Sequence, residues 1–469
     1  MSIPKTGRCN KLQISLFSIG ILSFIVRAYL NFSNALLIGN GGYYPLQVRT
    51  LLERGEFAFS DMPLLFYLDA GIIRFLSLFG IPVSNELILN VVMIVDSLSI
   101  PLLLIPLYYI LKHTKTRFSF FSSSIASFTV ISFYTLILVS SSQKNALAIT
   151  FLFCAIASFL YYLNLRQRKH LALSIAFFVL ISLTHFGTFS FSILFIAVLL
   201  IFNYKWKAII PLLTLIPVGT ALIYLFDPVR SERLLSVLEV LFSKGPRAME
   251  LLVAALYIGL AILAIVQFRK FKNEFEQGEK AIIKAMITLL ILIPLPIFDP
   301  QYTSRMNGFL FIPIVVLLLF YGSQFSSRTK KILSLILGFI SLASVCFFLI
   351  AKPQADVSKE ALADLENMQE VISNPNNTVI VSKHNLEFWV AWTLKVNVSQ
   401  EAKFDDKLIN EYDEVLILNQ VKGGKPQRDN QQRNHFSEPI IPPNATLIYT
   451  SRYFKLYKYN RTGTPTNEE

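Results

Sequence analysis

The stretch Pro63–Gly80, PLLFYLDAGIIRFLSLFG, decides how the whole chain is threaded. By length and apolar content it competes for a place as a membrane span. Asp69 and Arg74 stand in its middle, and charges at bilayer depth are costly. The basic clusters settle its place. Lys5, Arg8 and Lys11 precede the first long apolar run, so the N-terminus is expected on the cytoplasmic side. Later clusters are Lys112/Lys115/Arg117, Arg166/Arg168/Lys169, Lys205/Lys207, Arg269/Lys270/Lys272 and Arg328/Lys330/Lys331. All of them fall on that same side if 63–80 lies along the outer surface, and all invert if it crosses. The stretch is therefore read as a juxtamembrane helix.

With that segment placed, the fold class is mainly α: a polytopic membrane protein of about eleven transmembrane helices. The expected spans are roughly 12–30, 87–111, 119–139, 145–164, 171–186, 189–203, 208–226, 249–268, 281–298, 308–322 and 332–351. Composition agrees: the 469 residues are 54% hydrophobic and 16% charged, where a soluble domain carries about a quarter charged. The net charge of +13 comes from short clusters between apolar runs. That fits topology control rather than nucleic-acid binding, and no nucleic-acid partner is expected. Cys9, Cys154 and Cys346 are far apart and show no metal or disulfide spacing. KTGRCNK leads into a full-length apolar run without a small-residue cleavage site, so the first helix is expected to remain as an anchor.

An odd number of spans places 352–469 outside, as a domain separate from 1–351. This tail alternates helix (ALADLENMQEVI), strand (NTVIVS), helix (NLEFWVAWTL), strand (DEVLILN), a polar loop and strands (TLIYTS, YFKLYKY). That pattern predicts a small α/β domain.

The outer loop 31–86 also holds GNGGYYPLQVRTLLERGEFAFSDMP, residues 39–63. Pro45 suits the first turn of a helix and Gly55 its end. Tyr44, Val48, Leu51 and Leu52 fall on one face, and Gln47, Arg49, Glu53 and Arg54 on the other, which predicts an interfacial amphipathic helix.

Here the chain resembles the GT-C superfamily of membrane glycosyltransferases. The resemblance rests on a first span, an outer loop with YY-x(4)-R at Tyr43–Arg49, and D-x-P-L-L from Asp61. SSSQKNALA (140–148), SLTHFGTF (182–189), FDPQYTSRMNGFLFIPI (298–314) and the tail piece HNLEFWVAW (384–392) are similar to further pieces of such proteins. The resemblance implies transfer of a sugar from a polyprenyl-phosphate carrier at the outer face. The acceptor would be a glycan, a lipid or a protein. It also implies an inner or plasma membrane location, an acid in the first outer loop acting as base, and room for a divalent metal. No other cofactor is expected.

The sequence departs from that pattern where the acid is expected. Asn40-Gly41-Gly42 precedes the Tyr pair, and 140–145 carries no acid either. Asn cannot take a proton at useful pH. Asp61 is the replacement base, with an N-cap as its structural reading. Glu53 and Glu56 are weaker candidates on a solvated face. For the donor phosphate, Arg305, Lys144 and Arg49 are candidate cations, and Arg305 also has a pairing with Asp299 open to it. Tyr43 and Tyr44 are candidate substrate contacts. His185 could carry a proton, bind phosphate, or simply be hydrogen-bonded at a helix end. Asp69 needs a partner from elsewhere in the fold, because Arg74 lies at poor helical spacing. Asp96, inside a span, is either functional or a buried contact of Ser or Arg27. Two other classes stay open: a non-catalytic relative in envelope glycan assembly, and a transporter.

Overall fold

The structure is a computed structural model that describes residues 7–33, 40–114, 119–139, 142–204, 248–295, 300–351, 357–399, 406–421 and 439–461. Helix α1 (Gly7–Ser33) is followed by a 3₁₀ turn, Asn40–Gly42, and then by α2 (Tyr43–Arg54) and α3 (Leu64–Ser77). α4 (Asn85–Ser99) runs through a turn at Pro101–Leu103 into α5 (Leu104–His113). Then come α6 (Phe120–Ile131), the short α7 (Phe133–Leu136), α8 (Gln143–Leu165), α9 (Arg168–Thr184) and α10 (Phe186–Tyr204). Further on lie α11 (Ala248–Phe271), α12 (Gln277–Leu292), α13 (Pro300–Asn307), α14 (Phe311–Tyr321) and α15 (Ser327–Ala351).

Five described helices are long and apolar enough to cross a membrane: Lys11–Ser33, Asn85–His113, Gln143–Leu165, Ala248–Glu274 and Ser327–Ala351. Asn85–His113 and Gln143–Leu165 are mostly buried, so they form the centre. In the other three only 28% of the most apolar window is buried. Their outward faces carry Ile14, Phe17, Ile21 and Ile25 on α1, and Leu335, Phe339 and Leu342 on α15, all exposed. Apolar stripes of this length at helical spacing call for a lipid environment. Phe120–Leu136, Phe186–Phe202 and Arg305–Tyr321 are shorter apolar helices. The expected eleven full spans are therefore not all present among the described residues. α9 and α12 open with Arg168-Lys169-His170 and Gln277-Gly278-Glu279-Lys280, which shortens their apolar length, and the span expected at 208–226 lies outside the described residues. α3 is a helix of 14 residues and is not among the five.

The tail forms a small sheet with helices. Its elements are α16 (Lys359–Asn367), β1 (Thr378–Ser382), α17 (Leu386–Leu394), β2 (Asn397–Val398), α18 (Asp406–Glu411), β3 (Glu414–Gln420), β4 (Ala445–Thr450) and β5 (Phe454–Tyr459). The strand order is β2-β1-β3-β5-β4. β1 pairs in parallel with β2 and with β3, while β5 is antiparallel to β3 and β4. The predicted tail elements are all present; β2 and α18 are additions too short for a periodicity to reveal.

One apolar core joins this sheet to α2, α3 and α4. Tyr44 and Val48 of α2, Leu65, Phe66 and Ile73 of α3, and Val92 of α4 pack with Trp389, Leu416 and Phe454. Each large side chain fully buried here stabilises the contact by about 1.5–3 kcal/mol. The amphipathic reading of α2 is corrected by this packing. Its polar Gln47 and Arg49 are as buried as its apolar Tyr44 and Val48, and only Glu53 and Arg54 reach solvent. The helix is wedged between the membrane helices and the tail rather than laid on an interface.

Candidate active site

The site is built outward from the N-terminus of α2. Gly42 lies against the Trp389 indole, where a Cβ would come within 2.8 Å of the ring. The Gly-Gly before the Tyr pair therefore lets α17 of the tail close over the first turn of α2. α2 ends at Gly55, whose φ of +77° is left-handed and whose N–H closes on Leu51 O at 3.1 Å. The chain then turns back along the helix. Gln47 holds it there: its Nε2 donates to Phe59 O at 2.7 Å, and its Oε1 accepts from Phe59 N at 3.0 Å. The same Nε2 donates to the Tyr43 hydroxyl at 2.9 Å. This clasp brings Asp61 opposite Tyr43.

One carboxylate oxygen of Asp61, Oδ2, accepts from both the Tyr43 hydroxyl and Lys144 Nζ. The other, Oδ1, accepts from Met62 N at 2.7 Å. The N-cap reading of Asp61 is not realised: Pro63 occupies that position before α3, and no side chain caps the helix. Asp61 and Lys144 side chains remain 18% and 15% exposed, so the pair is accessible from outside. Lys144 stands in the first turn of α8, with Nζ 5.4 Å from the Tyr43 ring centre and 5.8 Å from that of Phe66. Burial and the adjacent Asp61 carboxylate push the Tyr43 phenol above its ordinary range, which keeps it a donor to Asp61. Tyr44 is buried behind it, and its hydroxyl bonds to the backbone at Lys144 and Gln143.

His185 ends α9 and starts the turn into α10. Its Nδ1 accepts from Thr188 N at 3.0 Å and lies 3.0 Å from Thr188 Oγ1. With Nδ1 accepting, a neutral imidazole carries its proton on Nε2. A Cβ on Gly187 would meet the ring at 2.8 Å, which explains why the motif reads His-Phe-Gly-Thr. Lys144, Asp61 and Arg305 all act electrostatically on this imidazole. Arg305 is exposed on α13. Four separate segments thus bring Asp61, Lys144, His185 and Arg305 into one region. Among the described residues it holds one carboxylate, two permanent cations and an imidazole, a balance that attracts an anion. Asp299 lies outside the described residues, and its pairing with Arg305 with it.

Other sequence candidates stand elsewhere. Arg49 is not in this region. Its Nη2 donates to Ala391 O at 3.0 Å and its Nη1 to Trp392 O, and the guanidinium lies over the Trp392 ring at 4.9 Å. It answers the last carbonyls of α17 and locks the tail to α2. Asp96 is the buried contact that its position allowed: Oδ1 lies 3.5 Å from Arg27 Nη2, and Oδ2 accepts from Asn31 Nδ2 at 2.8 Å. Asp69 does not have the partner expected for it. It is fully buried, and neither oxygen has a hydrogen-bond partner among the described residues. Arg74 instead donates to Leu52 O at 2.8 Å.

Gln47, Phe59 and Phe388 were not singled out from the sequence. Phe59 and Phe388 pack around the Tyr43 ring, at 6.1 and 5.2 Å between centroids. Nothing local marks Phe388, which arrives from the tail. Gln47 carried a signal in its place one turn after Tyr43. Among the described residues, no group of three or more His, Cys, Asp or Glu is arranged to hold a metal ion. No family model matches the chain, and no curated protein matches it.

Proposed function

We propose that this chain is a membrane glycosyltransferase-like enzyme of GT-C type. It takes a sugar from a polyprenyl-phosphate-linked donor and passes it to an acceptor at the outer face. The observation that carries the reading is the Asp61–Lys144 pair beside the Tyr43 ring, with His185 in the field of Lys144, Asp61 and Arg305. In this reading the remaining apolar helices complete an eleven-span bundle in the inner or plasma membrane, with the N-terminus cytoplasmic and the tail outside.

The chemistry follows from the residue types. Asp61, acting as a carboxylate that accepts two bonds, takes the proton of an acceptor hydroxyl. The acceptor oxygen forms a bond to the anomeric carbon as that carbon's bond to the carrier phosphate breaks. The electron pair leaves with the phosphate, whose charge Lys144 and Arg305 stabilise. Lys144 touches both halves of this exchange: it orients Asp61 before transfer and lies beside the leaving phosphate during it. The His185 Nε2–H supplies a neutral donor to the same anion. Tyr43, Phe59 and Phe388 offer aromatic faces for a sugar ring.

The test is a comparison of surface glycans and glycolipids by mass spectrometry. A deletion strain would be complemented with wild type, Asp61→Asn or nothing, at equal protein levels. Restoration of a missing sugar by wild type alone supports the reading. Full restoration by Asp61→Asn removes Asp61 as the base and favours a non-catalytic role. No change in any glycan on deletion removes the reading altogether.

A further inference from the structure

Beneath the Tyr pair lies a buried polar group that the proposed transfer does not use. Asp96 on α4 is held by Arg27 and Asn31 of α1, and all three are fully buried. Arg27 Nη1 is also bound, to Thr135 O at 2.8 Å. Asp69 stands on α3, which packs against α4, and lies in the field of Asp96. It is fully buried, and neither carboxylate oxygen has a hydrogen-bond partner among the described residues. Gln143, in the first turn of α8, is also fully buried with both side-chain polar atoms unpartnered among the described residues. Tyr44 of α2 connects the two regions: its hydroxyl bonds to the Gln143 and Lys144 backbone, and both Asp61 and Asp96 act on it.

Of these two buried carboxylates only one has an arginine. Asp96 has the arginine and an amide donor, so its negative charge is answered. Asp69 has neither, and a second anion beside Asp96 in the interior is opposed both by desolvation and by like charge. Such coupled pairs hold one proton between them. Among the described residues, Asp96 of α4 acts on Asp69, Arg27 of α1 acts through its pairing with Asp96, and Tyr44 of α2 lies in the field of Asp96.

We propose that Asp69 and Asp96 form a buried proton-binding site under the candidate active site, with the proton held on Asp69. The consequence reaches Asp61 through the chain, because α3 begins at Leu64, directly after the Asp61-Met62-Pro63 turn. Loss of the proton would place an unanswered charge on α3 and disturb the seat of that turn. The site is independent of whether the chain transfers a sugar.

The experiment is infrared spectroscopy of the full chain purified in lipid nanodiscs, titrated from acid to alkaline pH. The expected result is a protonated-carboxyl stretch that persists at neutral pH in wild type and is missing in Asp69→Asn. In Asp96→Asn the same band should titrate at lower pH, because the like charge is gone. Asp96→Asn keeps the test open if Asp69→Asn fails to fold. Absence of a protonated carboxyl at neutral pH overturns the proposal. So does a band unchanged in Asp69→Asn, or one that titrates identically in Asp96→Asn. A band that appears in wild type only when sodium and potassium are withdrawn also overturns it, since the occupant is then a metal cation.

Discussion

The Arg49 guanidinium lies 4.9 Å from the Trp392 ring centre and donates to the carbonyl of that same Trp392, as well as to Ala391 O at 3.0 Å. One residue of α2 thus binds the last carbonyls of a tail helix more than three hundred positions away in sequence. Arg49→Met removes the donor to Trp392 O and leaves Ala391 O with only the Lys395 N–H at 3.2 Å, which should cost about 1–3 kcal/mol. Arg49→Lys should recover little, because an ammonium cannot fork to two carbonyls while stacking on the indole. Faster proteolytic release of the tail from both variants, at unchanged wild-type conditions, is the expected reading. Equal resistance in Arg49→Met and wild type would remove Arg49 from this role.

The contact between Gly42 and Trp389 makes a separate prediction. A Cβ at 2.8 Å from the indole has nowhere to go unless the ring moves. Gly42→Ala should destabilise the chain by about 1–3 kcal/mol, the range for overpacking a filled core. Thermal unfolding of Gly42→Ala, Trp389→Leu and the double variant forms the check. The double variant should be less destabilised than the sum of the singles, since the two residues occupy one space.

Lys144 is bound to the proposed base and lies over the Tyr43 ring. Lys144→Met should lower transfer by about 10²-fold, the scale on which loss of one transition-state donor acts. Combined with Asp61→Asn, the loss should be far smaller than the product of the two, because both act on one step. Turnover with a short-chain polyprenyl-phosphate sugar measures it. Multiplicative losses would mean that Lys144 and Asp61 serve separate steps.

Asp69 carries a pH signature in stability. Burial, with Asp96 adding to it, holds its carboxyl well above the usual carboxylate range. The native state therefore keeps a proton that the unfolded chain releases. Stability is highest below the unfolded-state value and falls as pH rises toward and through the folded one. Asp69→Asn cannot ionise and should lose this slope. Unfolding midpoints of both proteins from acid to alkaline pH should diverge, with the variant the more stable at the alkaline end. Parallel curves would show that Asp69 does not titrate between the two states.

Much of the fold was legible locally. Long apolar runs and basic clusters mark membrane helices, because a helix in lipid must be apolar along its length. Asp69 and Arg74 argue against a span at 63–80, and α3 there has 14 residues. The tail elements followed from alternation and turn residues, since strand and helix periods differ. Tyr43, Asp61, Lys144, His185 and Arg305 were legible as polar residues in loops between apolar runs. The number of full-length spans was not, because charged openings shorten α9 and α12.

What the sequence by itself determined is the kind of environment each segment requires: lipid for the apolar helices and a polar setting for the tail and for the candidate residues between apolar runs. Tertiary structure alone decided partnership. Arg49 reads as a phosphate contact and is a clasp on Trp392; Asp69 calls for a partner and has none among the described residues; Asp61 reads as a base or a cap, does not cap α3, and meets Lys144 and Tyr43. The physical reason is range. Solvation and backbone preference act on each residue where it stands. A hydrogen bond or ion pair acts over about 3–4 Å, and only folding brings residues distant in sequence within that reach.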